Sequence, residues 1–497
     1  MFLGIDLGTS SVKALLMDDS GEVVGHSTAA LSVSRPRALW SEQDPAEWWR
    51  ATEAAVRGLS TQGRAAVRAV GLSGQMHSAV LLDAAHRVIR PAILWNDGRS
   101  GTECAELERR EPASRIITCN AAMPGFTAPK LLWLAAHEPE HFACIAHVLL
   151  PKDWLRFALT GEFVSEASDA AGTLWLDVAQ RRWSPAMLAA CGLDARQMPR
   201  LVEGTEVSGQ LTSAAGTALG LRAGVPVAGG GGDNACGAVG IGVVRPRQAF
   251  LSLGTSGVIF VADAGVHPDP ERGVHVFCHC IPSMWHRMAV TLSGASTLSY
   301  VAGLVGAASE EEFLARIEAQ GAARHAASRL VMLPYLSGER TPHNDPSATG
   351  VFFGIDGGSS AEDLGRAALE GVAFALADGL AALEARGEAI ESLSVIGGGS
   401  RSRYWGEIIA AALGRPLIYH RGGENGPALG AARLARIALG GATLIEACPQ
   451  HPVDAVIEPD ASLAQVLAPR RSLFSRLYAD LGPAFRQAAQ RRSPSRI

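Results

Sequence analysis

The chain has 497 residues, 47% of them hydrophobic and 19% charged, and a formal net charge of −5. That balance excludes an intrinsically disordered protein, and without a basic block before the last few residues it excludes a nucleic-acid surface. No apolar run reaches the roughly 18 residues that a membrane span needs, and eight irregularly spaced cysteines point to reduced thiols and a cytoplasmic location.

The first stretch, MFLGIDLGTSSVKALLMD, carries one acid, Asp6, along an apolar run into a bend of Gly8, Thr9, Ser10 and Ser11, and an alternating run leads out again. This pattern predicts a tight hairpin. GEVVGHSTAAL at 21–31 adds a third antiparallel strand. Asp44 and Pro45 predict the start of a helix through Trp48, Trp49 and Val56, because Asp caps free amides and Pro fits a first turn. The strand at 66–73 ends in GQMHS, the kind of strand end where a parallel sheet presents residues to a ligand. Residues 90–219 are richer in aromatic and helical patterns and read as an insertion that supplies substrate walls. VPVAGGGGDNACGAVGIGVV at 225–244 predicts a buried strand, a glycine turn, the pair Asp233 and Asn234, and a helix of small residues.

The opening pattern returns 246 residues later. In AFLSLGTSGVIFVAD (249–263), Leu253, Gly254, Thr255, Ser256 and Val258 stand where Leu7, Gly8, Thr9, Ser10 and Val12 stood. Two halves on related frameworks follow, one at 1–244 and one at 245–485, with a short tail at 486–497. The second half continues with two strands, the first carrying HVFCHC, where Cys278 and Cys280 are expected to alternate with His279 on the opposite face. A loop at 333–350, a long helix from about Ala361 to Arg386 and a strand-glycine-helix unit at 392–414 complete it. The fold class is α/β, with two lobes facing each other across a cleft.

Two Gly-Thr-Ser bends, one per lobe, suit phosphate, since successive amides and hydroxyls in such a bend can form an anion-binding concavity. Either bend alone reads more readily as an ordinary turn, and it is the pair that favours phosphate. The copies differ at Asp6, whose counterpart is Ser252, so the acid is not kept for hairpin geometry. A carboxylate beside phosphates suits Mg²⁺. Asp233 reads either as a helix cap or as the base that a hydroxyl nucleophile needs in phosphoryl transfer. Gly230, Gly232 and Ala235 imitate a dinucleotide fingerprint, but no acid follows at the ribose-binding distance, and the absence of any Gly-Lys pair excludes a Walker loop. GGGSRS at 397–402 offers a glycine shelf for adenine, edged by Arg401 and Ser402. That stretch and NGPALGAA at 425–432 also fit simple helix packing. His77 reads as a ligand contact or a structural histidine, and zinc is not expected at HVFCHC.

In order along the chain, IDLGTSSVK, SGQMHS, RPAILWNDGR, PGFTAPKLLW, LPKDWL, AGGGGDNA, LSLGTSGV, LPYLSGERTPHN and VIGGGSRSRYW resemble the FGGY carbohydrate kinases. GVFFGIDGGSSAEDLGRAALE (350–370) fits a second signature of that family, and GFTAPKLLWLAAH departs from the first at Ala136. The resemblance implies an actin-like ATPase fold with two RNase H-like lobes, and ATP-dependent phosphorylation of D-xylulose to D-xylulose 5-phosphate with Mg²⁺. Ribulose, fuculose, gluconate or glycerol is the alternative acceptor, and the QMH loop leans away from glycerol. It further implies Asp233 as general base and Met76, His77, Asp233 and Asn234 as sugar contacts. Asp6 would act catalytically through the metal. Gly8, Thr9, Gly254 and Thr255 would border the phosphates, and Gly398 and Gly399 the adenosine. A homodimer is the assembly allowed for. Paired phosphate turns also occur in nucleotide-gated chaperones, which would need a peptide-binding region beyond the two lobes, where a short tail is expected.

Overall fold

A computed structural model describes residues 1–387, 389–422 and 426–492. Asn425, at the head of NGPALGAA, and residues 493–497 of the expected tail lie outside the described residues. Strands β1 (Phe2–Leu7), β2 (Ser11–Met17) and β3 (Val23–Ala30) form the antiparallel meander that the alternation predicts. Helix α1 (Pro45–Arg57) follows, with Asp44 accepting the Ala46 amide as its cap. It leads into β4 (Ala69–Gly74), which pairs parallel to β1. Strands β5 (Val207–Gln210) and β6 (Pro226–Ala228) complete the path β5-β6-β4-β1-β2-β3. Gly231 and Gly232 also pair with the end of β4, and helix α2 (Asp233–Ile241) starts there.

The second half repeats this plan. Strands β7 (Ala249–Leu253), β8 (Gly257–Asp263), β9 (His275–Cys278), β10 (Trp285–Thr291), β11 (Leu393–Ile396), β12 (Leu417–His420) and β13 (Val453–Ile457) run in the order β9-β10-β8-β7-β11-β12-β13. A hairpin, an antiparallel neighbour and a parallel strand on the far side of the first strand therefore recur in both sheets. Strand β9 ends at Cys278, so the alternation expected through Cys280 stops short. Past that end the Cys280 thiol lies 3.5 Å from His279 Nδ1 rather than across the strand from it.

Helix α3 (Ala361–Glu384) is buried along most of its length, and α4 (Arg403–Leu413) packs beside it. Helix α5 (Gly426–Ala438) lies on the first sheet although its sequence belongs to the second half. Ala428, Leu429, Ala432 and Ala435 share one core cluster with Phe2, Leu15, Met17 and Ala69. Backbones touch there. A Cβ on Gly71 of β4 would sit 1.8 Å from the Ala431 carbonyl, and one on Gly430 would sit 1.9 Å from the Cys236 carbonyl of α2. Helices α2 and α5 thus cross in contact between the two sheets. The last helix, α6 (Ala461–Arg492), carries the chain past the end of the second lobe, so residues 486–492 continue a helix.

Candidate active site

Two cavities open along the cleft. One, of about 290 Å³, is walled by Met76, His77, Trp95 and Phe126 of the first lobe and by Phe277, Met288, Val290 and Arg340 of the second. The other, of about 780 Å³, is walled by Gly397, Gly398, Arg401, Arg403, Tyr419 and Asp454 of the second lobe. Asp233, Asn234 and Ser252 line both. The cavities therefore meet at the first turn of α2.

The glycine turn ahead of Asp233 is forced by its surroundings. Gly230 has φ +72, and a Cβ there would lie 1.9 Å from the Leu72 carbonyl. The Gly232 amide donates to Ser168 Oγ (3.1 Å), and Ser168 Oγ donates to Glu166 (2.8 Å). Behind them Lys152, fully buried, sits 2.9 Å from Asp153 and 3.5 Å from Asp169, whose carboxyl is pushed well up by burial. Gly232, not Asp233, occupies the cap position of α2. Asp233 Oδ1 accepts both the Asn234 amide (2.7 Å) and Asn234 Nδ2 (2.9 Å), which leaves Oδ2 for a ligand hydroxyl. Burial, and then the charge of Asp6, raise the Asp233 carboxyl to about 6.

Asp6 lies between Lys13 on β2 and Ser73 on β4 in register. Ser73 Oγ donates to Asp6 Oδ1 at 2.8 Å, and burial raises the carboxyl while Lys13 lowers it. The matching trio in the second lobe is Ser252, Val258 and Ile396. The polar set is thus confined to one lobe. Lys13, in the opening motif, was not singled out from the sequence, because a lysine on a strand reads as a solvated one.

The QMH loop divides its residues between two jobs. Gln75 turns into the first hairpin, where Thr9 Oγ1 donates to it at 3.1 Å and Trp95 Nε1 donates to Thr9 Oγ1 at 2.9 Å. Met76 and His77 face the smaller cavity. His77 adopts φ +68 and its Nδ1 lies 2.7 Å from the Gly172 carbonyl. Burial pushes its pKa down to about 3, so the ring is neutral. Nδ1–H donates to that carbonyl and Nε2 remains an acceptor. Phe126 meets the ring edge-on at 4.9 Å between centroids.

The expected phosphate and adenosine residues divide between turn-closing and cavity-lining positions. The Gly8 and Gly254 amides close their own turns on Ser11 and Ser256 carbonyls at 3.0 Å, so those two donors are not open to an anion. Thr9 gives its hydroxyl to Gln75, and the Thr255 carbonyl accepts Ser296 Oγ at 2.6 Å. Gly398 lines the larger cavity, whereas Gly399 packs on Leu253, where a Cβ would come within 2.7 Å of that side chain. Ser402 caps α4 and Arg401 lines the cavity. Trp95, Phe126, Phe277, Met288 and Arg340 escaped the reading of the sequence. Each sits in a segment whose approach to the cleft depends on tertiary packing.

Residues 1–240 match the N-terminal domain of the FGGY family of carbohydrate kinases, and residues 249–439 match its C-terminal domain. The chain is 54% identical to a xylulose kinase of Escherichia coli (strain K12) over 97% of this chain and 99% of that one. It is 50% identical to a xylulose kinase of Klebsiella pneumoniae over the same shares. A crystal structure of a xylulose kinase from Brucella ovis superposes with a TM-score of 0.93 at 48% identity, covering 97% of this chain and 99% of that one. With two matching domains and near full-length relatives, the chain belongs to the FGGY family of carbohydrate kinases and has its two-lobed actin-like fold.

Proposed function

We propose that this kinase transfers the terminal phosphoryl group of ATP to O5 of D-xylulose, with Asp233 as general base. The observation that carries this is the meeting of the two cavities at Asp233, Asn234 and Ser252. A sugar in the smaller cavity and a nucleotide in the larger one meet at the free oxygen of the carboxylate. Near-full-length relatives at 50% and 54% identity, both xylulose kinases, support the choice of sugar.

Asp233 Oδ2 accepts the proton of the attacking hydroxyl, and Asn234 fixes the carboxylate plane through its two bonds to Oδ1. A carboxyl held near 6 is ionised at neutral pH yet basic enough to take the proton. His77 Nε2 accepts a sugar hydroxyl. The hairpin turns border the phosphates, with Lys13 beside Asp6 as a cation on that side. The charge of Asp6 bears on Asp233, and the hard carboxylate oxygens of Asp6 would hold a Mg²⁺. When bound, the ion neutralises phosphate charge. Closure of the lobes excludes water that would otherwise hydrolyse ATP. Work in the cytoplasm and a homodimer belong to the same proposal, the latter tested by sedimentation.

The test is sugar-dependent ADP release over a panel of ketoses, polyols and aldonates. D-xylulose is expected to give the highest kcat/KM. Equal or better turnover of ribulose, fuculose or gluconate overturns the choice of sugar, and near-normal activity of Asp233→Ala overturns the base.

A further inference from the structure

Arg340 stands between two anchored residues. On one side Glu339 accepts Thr291 Oγ1 (2.6 Å), the Leu292 amide (2.8 Å) and the Arg340 amide (2.7 Å). On the other, the Thr341 amide donates to the Val290 carbonyl (3.0 Å), and Thr341 Oγ1 donates to the Gly273 carbonyl (2.9 Å). With both oxygens of Glu339 engaged in this way, no ion pair holds the guanidinium among the described residues. It lines the smaller cavity and not the larger one, so it faces the sugar end of the cleft.

Its orientation is preset by a relay that crosses the lobes. Asn120 Nδ2 donates to the carbonyls of Thr118 (2.7 Å) and Val276 (2.8 Å), which fixes the amide so that Oδ1 is the acceptor. That oxygen takes the Val276 amide (3.1 Å) and His275 Nδ1 (3.3 Å). The His275 ring, buried and held neutral, therefore carries its proton on Nδ1 and presents Nε2 as an acceptor. Arg340 Nη1 donates to it at 3.4 Å. The remaining N–H groups of the guanidinium are left for the cavity.

The other polar side chains on that wall mostly accept. His77 offers Nε2, Asp233 offers Oδ2, and Asn234 spends one of its two Nδ2 hydrogens on Asp233. Trp95 spends its N–H on Thr9. Serine hydroxyls serve either way. Among the described residues lining the cavity, Arg340 is thus the donor-only side chain that keeps uncommitted N–H groups. A ketopentose supplies the matching atom. Its ring closes between C2 and O5, so a molecule whose O5 is free to attack phosphorus is open-chain and carries an unmasked C2 ketone. Its hydroxyls both donate and accept. The ketone oxygen only accepts.

We propose that Arg340 binds the C2 carbonyl oxygen of the open-chain ketose and selects ketoses over the corresponding polyols. This rests on the functional reading above, which places the sugar in the smaller cavity. The measurement is kcat/KM for D-xylulose and for xylitol, its reduction product without a ketone, in the wild type and in Arg340→Gln. The expected result is a loss of about 10–100-fold for D-xylulose with little change for xylitol, so that the ketose preference falls by at least ~10-fold. The KM for ATP stays unchanged. Arg340→Lys keeps the charge and one donor and is expected to fall between the two. It carries the test should the glutamine variant not fold. A ketose preference within twofold of wild type in either variant overturns the proposal, even where turnover falls, because that is the mark of a merely structural arginine. Absence of D-xylulose turnover in the wild type overturns the functional reading instead, and the two failures are distinguishable in one assay.

Discussion

Asp233→Asn is expected to destroy turnover and raise stability together. The carboxyl stands at about 6 against an ordinary 3.8, mainly because burial disfavours its charge. At about 1.36 kcal/mol per unit this is a cost of about 3 kcal/mol in the ligand-free protein. Asp233 is half-buried where two cavities open, so solvent screening reduces the figure to about 1–2 kcal/mol. The sign follows from a folded-state value above the unfolded one. The cost is absent below about 3.8 and fully present above about 6, so stability is lost as pH rises through that window. Asn keeps both bonds to Oδ1, since an amide oxygen accepts as a carboxylate does. Thermal melts without ligand should show the variant about 1–2 °C more stable at pH 7.5, with roughly half that gain at pH 5. Turnover should fall at least ~10²-fold. An Asn variant that melts at or below wild type at pH 7.5, or whose gain does not change with pH, would refute the reasoning.

The acidic limb of the kcat profile should have its midpoint near pH 6, and Asp6→Asn should move that midpoint to lower pH, because Asp6 is the second contributor to the raised carboxyl. A midpoint that stays or rises counts against Asp233 as the titrating base. Gly430→Ala places a methyl group 1.9 Å from the Cys236 carbonyl. It should cost about 1–3 kcal/mol in urea unfolding, whereas wild-type stability would show that the helices separate freely. Arg401→Ala should raise the KM for ATP about 10-fold and leave that for the sugar unchanged. A change in the sugar KM alone would place Arg401 outside the nucleotide cavity.

Residues that announce themselves by local geometry were legible. The hairpins, the Asp44 cap and the strand-glycine-helix unit ahead of Asp233 all follow from periodicity and turn chemistry, and Met76 and His77 follow from a strand end. Gln75 was not separable from its neighbours, because its turn toward Thr9 depends on a hairpin far away in the chain. That the missing side chain of Gly399 also makes room for Leu253 depends on packing that the motif does not show. Arg340 lies in a loop whose path is set by the bonds of Glu339 and Thr341 to Thr291 and Val290 of β10, and a loop glutamate ahead of an arginine carries no such information by itself.

The seat of α5 on the first sheet has a consequence for how the protein is made. Strands β1 and β4 are among the first elements to leave the ribosome, and the helix that covers Phe2, Leu15 and Ala69 is among the last. At about 5–20 residues per second the first lobe waits roughly 20–80 s with that apolar surface uncovered. Synthesis stopped near residue 244 would therefore yield a half that cannot close its own core. The nascent chain is expected to depend on chaperone shelter until residue 438 has emerged.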